Sequence, residues 1–205
     1  MFKDRKDAGQ KLAEALQVYK AEEPLVLAIP RGGVELGYEI SRALDTDFSL
    51  LICRKLPFPH NTESGFGAIA EDGSLYINGP ASSSVSDEEI EQIIREQSLE
   101  IKRRIQTLRK GKELPTISGR TVILTDDGIA MGSTMHVAVE LCKKAKAKKI
   151  IVAVPVAGRK TIEKFSKMVD KVIVLESPVP FYAVAQVYEN WYDVSDEEVL
   201  SFLNI

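Results

Sequence analysis

Five short apolar runs, rich in β-branched residues and separated by stretches of helical periodicity, leave few folds open to this chain. The runs cover residues 25–29 (LVLAI), 48–53 (FSLLIC), 121–125 (TVILT), 149–156 (KIIVAVPV) and 171–175 (KVIVL). Strands that are apolar on both faces suit a sheet covered by helices. Helical stretches are predicted over 4–19, 33–44, 132–146 and 160–168. We therefore predict an α/β fold with an open, mainly parallel sheet and helices on both faces.

The interval between the second and third runs departs from this alternation. Its parts are a predicted loop over 54–67, a predicted hairpin over 68–77 around Asp72–Gly73, and a predicted polar helix over 87–110. Prolines and glycines indicate the loop, the Asp-Gly pair indicates the hairpin, and a capping-box pattern at Ser86 and Glu89 indicates the helix. We expect a single domain over residues 1–205, with an insertion or hood at about 56–118.

Composition and charge narrow the functional classes. The net charge is −3, and the chain has no dense basic stripe or helix-turn-helix pattern, which weighs against nucleic-acid binding. The two cysteines make neither a disulfide framework nor a zinc-ligand spacing. The N-terminus is charged from its third residue, unlike a secretory signal, and no apolar run is long enough to cross a bilayer. We expect a cytoplasmic protein with no membrane partner.

Two acidic residues and a turn of mostly small residues follow the third apolar run, in the stretch ILTDDGIAMGSTM (123–135). Asp126 and Asp127 fall at the carboxyl end of the predicted strand, where open α/β sheets bind their ligands. The next residues are small and lead into a helix, so exposed amides and the helix dipole favour a phosphate there. Carboxylates would repel a phosphate but suit a sugar diol or a divalent cation. The pattern therefore indicates a phosphorylated ribose.

The stretch VILTDDGIAMGST (122–134) resembles the phosphoribosyl-pyrophosphate motif of the type I phosphoribosyltransferases. The resemblance implies phosphoribosyl pyrophosphate as one substrate, a small nitrogenous base as the other, and Mg²⁺ as cofactor. Asp126 and Asp127 would hold the ribose hydroxyls and, largely through the substrate, the metal. The 5-phosphate would be bound by Gly128, Ala130, Met131, Gly132, Ser133 and Thr134.

Two positions depart from that family's common pattern. Met131 stands where such enzymes often carry threonine, so one hydroxyl contact is lost while the backbone donors remain. Ala130 stands where enzymes acting on 6-oxopurines usually carry aspartate. This difference counts against hypoxanthine or guanine as the acceptor.

A second phosphate loop is predicted at AIPRGGVELG (28–37), which ends the first strand and resembles the pyrophosphate loop of the same family. A cis peptide is common there, and we expect it at Arg31. Pyrophosphate contacts are expected from Arg31, Gly32, Gly33 and Arg54. Lys55 leads into a mobile loop that would close over pyrophosphate. Arg31, Lys55, Asp126 and Asp127 are thus the expected catalytic residues.

The acceptor side is left open by the sequence. The aromatic stretch 181–192 could stack a planar base or simply anchor the C-terminus. Arg103 and Arg104 fit a solvated or subunit-packing helix better than a pyrophosphate contact, and the insertion is a candidate homodimer surface. His60 is expected in an exposed loop and His136 as a packed helix residue.

The function predicted from these motifs is transfer of ribose 5-phosphate from phosphoribosyl pyrophosphate to a nitrogenous base, with release of pyrophosphate. The alternative is a regulatory protein that senses phosphoribosyl pyrophosphate or a nucleotide and retains the fold. A sugar-phosphate hydrolase or a noncatalytic interaction domain is a third hypothesis. Pyrophosphate release that requires an acceptor base would distinguish the first from the others.

Overall fold

The computed structural model describes residues 1–203 and, of Glu63, the backbone only. The strands are β1 (Leu25–Ala28), β2 (Phe48–Leu50), β3 (Cys53–Phe58), β4 (Asn61–Ala70), β5 (Leu75–Ile77), β6 (Thr121–Thr125), β7 (Lys149–Val156) and β8 (Lys171–Glu176). The helices are α1 (Arg5–Leu16), α2 (Val34–Leu44), α3 (Gly79–Ser82), α4 (Asp87–Arg109), α5 (Ser133–Lys144), α6 (Arg159–Ser166) and α7 (Asp196–Leu203).

The central sheet has the strand order β2-β1-β6-β7-β8, and all its pairs are parallel. Alternate residues of its inner strands enter two separate cores. Leu27 and Leu124 share a core with the apolar face of α5. Val26 and Ile123 share the opposite core with α1 and α2. The predicted parallel sheet with helices on both faces is therefore confirmed.

The predicted loop over 54–67 is wrong, because the structure forms an antiparallel sheet there with the order β3-β4-β5. The run 48–53 is divided between the sheets. Leu51 still donates to the carbonyl of Ala28 at 2.9 Å, whereas Cys53 pairs with Ala70. The misleading prolines are tolerated because the register shifts on both sides of Pro57, where an irregular pairing needs fewer backbone donors.

Other parts of the insertion match the sequence pattern. A turn at Glu71 and Asp72, closed by the bond from the Gly73 amide to the Ala70 carbonyl at 2.9 Å, joins β4 to β5, so the hairpin prediction is confirmed. The capping box is formed, since the Ser86 side chain accepts from the Glu89 amide and the Glu89 carboxylate accepts from the Ser86 amide. The helix ends within a residue of its predicted end, where Lys110 and Gly111 adopt positive φ.

A buried ion pair fastens the insertion to the central sheet. Arg109 donates to a carboxylate oxygen of Glu71 at 3.0 Å and to the Leu50 carbonyl at 3.0 Å. Glu71 also accepts from the Ile52 amide at 2.8 Å. These bonds tie α4 and the start of the β4–β5 turn to the residues where the chain leaves β2. The insertion is therefore held at the carboxyl edge of the sheet.

Among the helices of residues 1–203, none combines the length and apolar character that crossing a bilayer requires.

Candidate active site

The acid-and-small-residue stretch forms a loop between β6 and α5 that is held by the next strand. The Ile129 amide donates to the Val156 carbonyl of β7 at 2.8 Å. Gly132 stands at the helix start with φ of 79°, a conformation that favours glycine. Since Gly132 has no side chain with which to cap α5, the first amides of the helix are left for a ligand.

A cavity of about 320 Å³ opens above this loop. Its lining includes all six residues predicted to bind the 5-phosphate, namely Gly128, Ala130, Met131, Gly132, Ser133 and Thr134. Asp126 and Lys55 also line it, together with Ser64 and Gly65 of β4 and Val184 of the C-terminal segment. We call this space the loop cavity. It combines a carboxylate, a lysine and an amide-rich turn.

The two acids face different spaces, although the sequence pattern assigned them to one ligand. Asp126 lines the loop cavity, and one of its carboxylate oxygens accepts from the Asp127 amide at 2.9 Å. Burial and the neighbouring Asp127 raise the pKa of Asp126 well above its ordinary value. Asp127 instead lines a second cavity of about 250 Å³, beside the predicted pyrophosphate loop. We call this second space the arginine cavity.

The arginine cavity is bounded by four arginines: Arg5, Arg31, Arg54 and Arg104. Pro30, Gly32, Asp127, Trp191, Asp193 and Val194 complete the lining. The Pro30–Arg31 peptide is cis, as predicted. Gly32 touches Asp127 so closely that a Cβ added to it would lie 1.9 Å from Asp127 Oδ2. Four guanidinium groups around one opening suit an anion with several charges.

Arg31, the predicted pyrophosphate residue, is engaged with the C-terminal helix. Its Nη1 lies 3.6 Å from Oδ1 of Asp196, at the start of α7. Arg103 of α4 contacts the other oxygen of Asp196 at 3.3 Å. Gly33, also predicted for pyrophosphate, packs against the end of β6, since an added Cβ would lie 2.8 Å from the Thr125 and Ile29 carbonyl oxygens.

Arg54 and Lys55 are neighbours on β3 and line different cavities. Alternate strand residues point to opposite faces, and Arg54 accordingly lines the arginine cavity while Lys55 lines the loop cavity. Arg54 donates from Nε to Gln97 at 3.0 Å, and burial together with the nearby Arg104 lowers its pKa. Arg104 also lies in the arginine cavity. The solvated position that the charge pattern of the helix favoured for Arg104 is therefore wrong, since Arg104 is only 7% exposed. The alternative of subunit packing stays a prediction.

Glu100 orients the two arginines of α4. It accepts from Arg103 Nε at 2.7 Å and from Arg104 Nε at 2.8 Å. The hydrogen bond from Arg103, supported by Arg104, lowers the pKa of Glu100 from its ordinary 4.5 to about 2. A lowered carboxyl pKa stabilises the fold above pH 4.5, and this contribution is lost as the pH falls through about 2.

We therefore expect Glu100→Gln to destabilise the protein at pH 7 and to cost progressively less as the pH is lowered. The measurement is the difference in urea midpoint between wild type and variant at pH 7 and at pH 3. Glu14→Gln, at an exposed position of α1, is the matched control and should show little difference at either pH. A pH-independent difference for Glu100→Gln would show that charge is not the cause.

Sequence reasoning missed Arg5, which is only 3% exposed. Its Nε and Nη2 lie 3.1 and 3.0 Å from Asp127 Oδ2, and its Nη1 donates to the Tyr192 carbonyl at 2.9 Å. The sequence signal that could have identified Arg5 is its position on the apolar face of α1. The buried residues of that face are Arg5, Ala8, Gly9, Leu12, Ala13 and Leu16. A charged residue on such a face needs a buried partner.

Tyr188, Trp191 and Tyr192 of the C-terminal segment gather around Asp127 and Arg5, and no aromatic residue of that segment lines the loop cavity among the described residues. Trp191 lies 4.1 Å from the Arg5 guanidinium, and Tyr188 donates to the Asp127 carbonyl at 2.7 Å. Tyr182 is 82% exposed.

The two histidines lie where the sequence predicts them. His136 packs on Tyr76 with ring centroids 4.1 Å apart, and His60 is exposed in the turn after β3.

Within the part of the chain that the structure describes, no three His, Cys, Asp or Glu side chains are grouped so that they could hold a metal ion. Asp126 nevertheless offers carboxylate oxygens at the loop cavity. Mg²⁺ is commonly held by one or two carboxylates together with substrate oxygens and water, so these residues fit a metal that arrives with its substrate.

Residues 3–189 match the phosphoribosyl transferase domain family. Two Mycobacterium tuberculosis proteins, MT0597 of strain CDC 1551 and Rv0571c of strain H37Rv, are provisionally named phosphoribosyl transferases. Each is 34% identical over 206 residues, which cover all of this chain and 46% of the relative. The chain thus spans about half the length of these relatives.

Among solved structures, TT1426 from Thermus thermophilus superposes with a TM-score of 0.81 and 33% identity. The match covers 99% of this chain and 97% of TT1426. The family match over nearly the whole chain and the likeness to these relatives lead to one conclusion: the chain belongs to the phosphoribosyl transferase family.

Proposed function

We propose that this protein transfers ribose 5-phosphate from phosphoribosyl pyrophosphate to a nitrogenous base in the cytoplasm, with release of pyrophosphate. The observation that carries the proposal is the pair of cavities on either side of Asp126 and Asp127. One cavity is built from helix-start amides and the other from arginines. Phosphoribosyl pyrophosphate carries one phosphate and one pyrophosphate on opposite sides of a sugar, and it therefore suits two anion sites that flank a pair of acids.

The loop cavity takes the 5-phosphate in this proposal. Amides of Gly128 and of residues 130–134 donate to the phosphate oxygens, and the Ser133 and Thr134 hydroxyls add two further donors. The Met131 side chain is 62% exposed, so that residue contributes through its backbone. Asp126 binds a ribose hydroxyl from the neighbouring position.

The arginine cavity takes the pyrophosphate. Arg31 and Arg54 supply charge, and the backbone of Gly32 lines the cavity beside them. Lys55 acts from the loop cavity, on the other side of the same strand. These groups stabilise the negative charge that develops on pyrophosphate as it departs. A bound Mg²⁺ ion, held by Asp126 or Asp127 together with substrate oxygens, would supply further charge neutralisation.

In the reaction, the bond between C1 of the ribose and the pyrophosphate oxygen breaks, and its electron pair leaves with pyrophosphate. A bond forms between C1 and a nitrogen of the acceptor. That nitrogen loses its proton to solvent, unless the base enters as an anion. Asp126, the acid that lines the loop cavity, holds the sugar and offsets the positive charge that develops on its ring.

The acceptor belongs to a class other than hypoxanthine or guanine, since Ala130 offers no carboxylate beside the loop. We also propose that residues 1–205 act as one domain and that the insertion at about 56–118 forms part of the hood. Ser64 and Gly65 of that insertion line the loop cavity.

The test is a screen of nucleobases and small amines with phosphoribosyl pyrophosphate and Mg²⁺, read out as pyrophosphate release. Release that depends on one acceptor supports transfer. Tight binding of phosphoribosyl pyrophosphate without release by any acceptor would favour the sensing alternative. Release that is indifferent to the acceptor would indicate hydrolysis.

A further inference from the structure

Arg5 lines the arginine cavity but belongs to none of the loops assigned to the substrate. It is the first residue of α1, and its guanidinium reaches Asp127, two residues beyond the end of β6. Two of its nitrogens meet a single oxygen, Asp127 Oδ2, at 3.1 and 3.0 Å. Charge-assisted bonds of this kind are among the stronger ones, and they are difficult to replace with water at a buried position.

An aromatic platform holds this pair in place. The Arg5 guanidinium lies 4.1 Å from the Trp191 ring and 5.4 Å from the Tyr192 ring, so it contacts the faces of two aromatic residues. Tyr188 bonds the Asp127 backbone from the same segment. The N-terminal helix and the C-terminal segment thus fix Asp127 together.

The oxygen that Arg5 holds is also the one that touches the pyrophosphate loop. A Cβ on Gly32 would overlap it at 1.9 Å. A carboxylate in this position, without a partner, would repel any anion that enters beside Gly32 and Arg31. With Arg5 paired to it, the local charge is neutral, and the remaining arginines of the cavity can act on the ligand.

We propose that Arg5 is a positioning residue for the pyrophosphate group, which it serves by neutralising Asp127 and holding that carboxylate clear of the incoming anion. This inference rests on the proposed function, because the anion is taken to be the pyrophosphate of phosphoribosyl pyrophosphate. Arg5 acts through Asp127, and its effect therefore depends on the presence of that carboxylate.

A double-mutant cycle tests the dependence, with Arg5→Gln, Asp127→Asn and the double variant. The ligand is inorganic pyrophosphate with Mg²⁺, and its affinity is measured by calorimetry. Arg5→Gln is expected to weaken binding about tenfold or more, because it leaves the carboxylate bare. The double variant should bind within roughly threefold of Asp127→Asn alone, since neither of them has a carboxylate to neutralise.

Kinetics and a conservative substitution separate positioning from simple structural support. Arg5→Gln should raise the KM for phosphoribosyl pyrophosphate more than it lowers kcat. Arg5→Lys, which keeps the charge, should recover most of the lost affinity. Lys6→Gln removes an exposed cation from the same helical turn and should change neither parameter.

Four outcomes would overturn the inference. Additive effects of Arg5→Gln and Asp127→Asn on pyrophosphate affinity would show that Arg5 does not act through Asp127. A pyrophosphate affinity of Arg5→Gln within about twofold of wild type would show that Arg5 has no role in pyrophosphate binding. If Arg5→Gln fails to fold, Arg5→Lys and the double variant decide, and pyrophosphate binding lost in Arg5→Lys would contradict a charge-based role. Wild-type protein that binds neither ligand would remove the proposed function and this inference with it.

Discussion

Asp126→Asn is expected to lower kcat/KM for pyrophosphate release on the order of a hundredfold to a thousandfold while the protein stays folded. Asp126 is the acid that lines the loop cavity, because Asp127 is turned towards the arginine cavity. The proposed sugar contact would lose its negative charge and part of its hydrogen bonding in the transition state. Both kcat and kcat/KM should fall.

The fold should survive because asparagine keeps the bond that Asp126 makes to its neighbour. Its amide oxygen can accept from the Asp127 amide in place of the carboxylate oxygen that does so at 2.9 Å. A neutral group also avoids the unfavourable burial that raises the pKa of Asp126. Thermal midpoints should therefore be equal or slightly higher in the variant.

Asp45→Asn is the matched control for this substitution. Asp45 is exposed at the end of α2 and has φ of 56°, a conformation that asparagine also adopts readily. It should retain wild-type activity and stability. Activity of Asp126→Asn within about tenfold of wild type would contradict the sugar-binding role assigned to this carboxylate.

The corresponding change at Asp127 has a different expected result. Arg5 would be left buried without its partner, and breaking one side of a buried ion pair typically costs about 3–5 kcal/mol. From the sequence alone the two acids look equivalent, so substituting both appears harmless to the fold. The structure shows that they are not equivalent, because Asp127 is paired with the buried Arg5.

The parts of the fold that the sequence predicts well are those with a local cause. β6 is an apolar run, and the turn after it is made of small residues. Gly132 is needed there because its φ is positive, and small side chains leave the backbone open to the loop cavity. The same reasoning locates the Gly32–Gly33 turn after β1. In both loops, the residue types themselves carry the geometric requirement.

Features that arise from distant contacts were predicted less well. Prolines and glycines over 54–67 locally favour a loop, but pairing between β3 and β4 outweighs that preference, with register shifts around Pro57. Arg5 and Asp127 are 122 residues apart, so no local pattern joins them. Arg104 is likewise one of several charged residues on α4, and only tertiary packing brings it to the arginine cavity.

Gly32→Ala is expected to lower kcat/KM for pyrophosphate release by about a hundredfold or more. An added Cβ would lie 1.9 Å from Asp127 Oδ2 and 2.4 Å from its Cγ, so the carboxylate or the loop must move by more than an ångström. The carboxylate cannot move without disturbing its bonds to Arg5. A displacement of this size at a binding group is enough for a loss of about two orders of magnitude.

This variant should also be less stable by about 1–3 kcal/mol, as expected for a methyl group forced into a filled space. Gly79→Ala is the matched control, because nothing lies within 4 Å of a Cβ at that position. The two variants should be compared by steady-state kinetics and by urea denaturation. Retention of more than about a third of wild-type kcat/KM by Gly32→Ala would mean that the pyrophosphate loop and Asp127 tolerate separation. In that case the arginine cavity would not depend on the contact between them, and both the position of the pyrophosphate and the role of Arg5 would have to be assigned elsewhere.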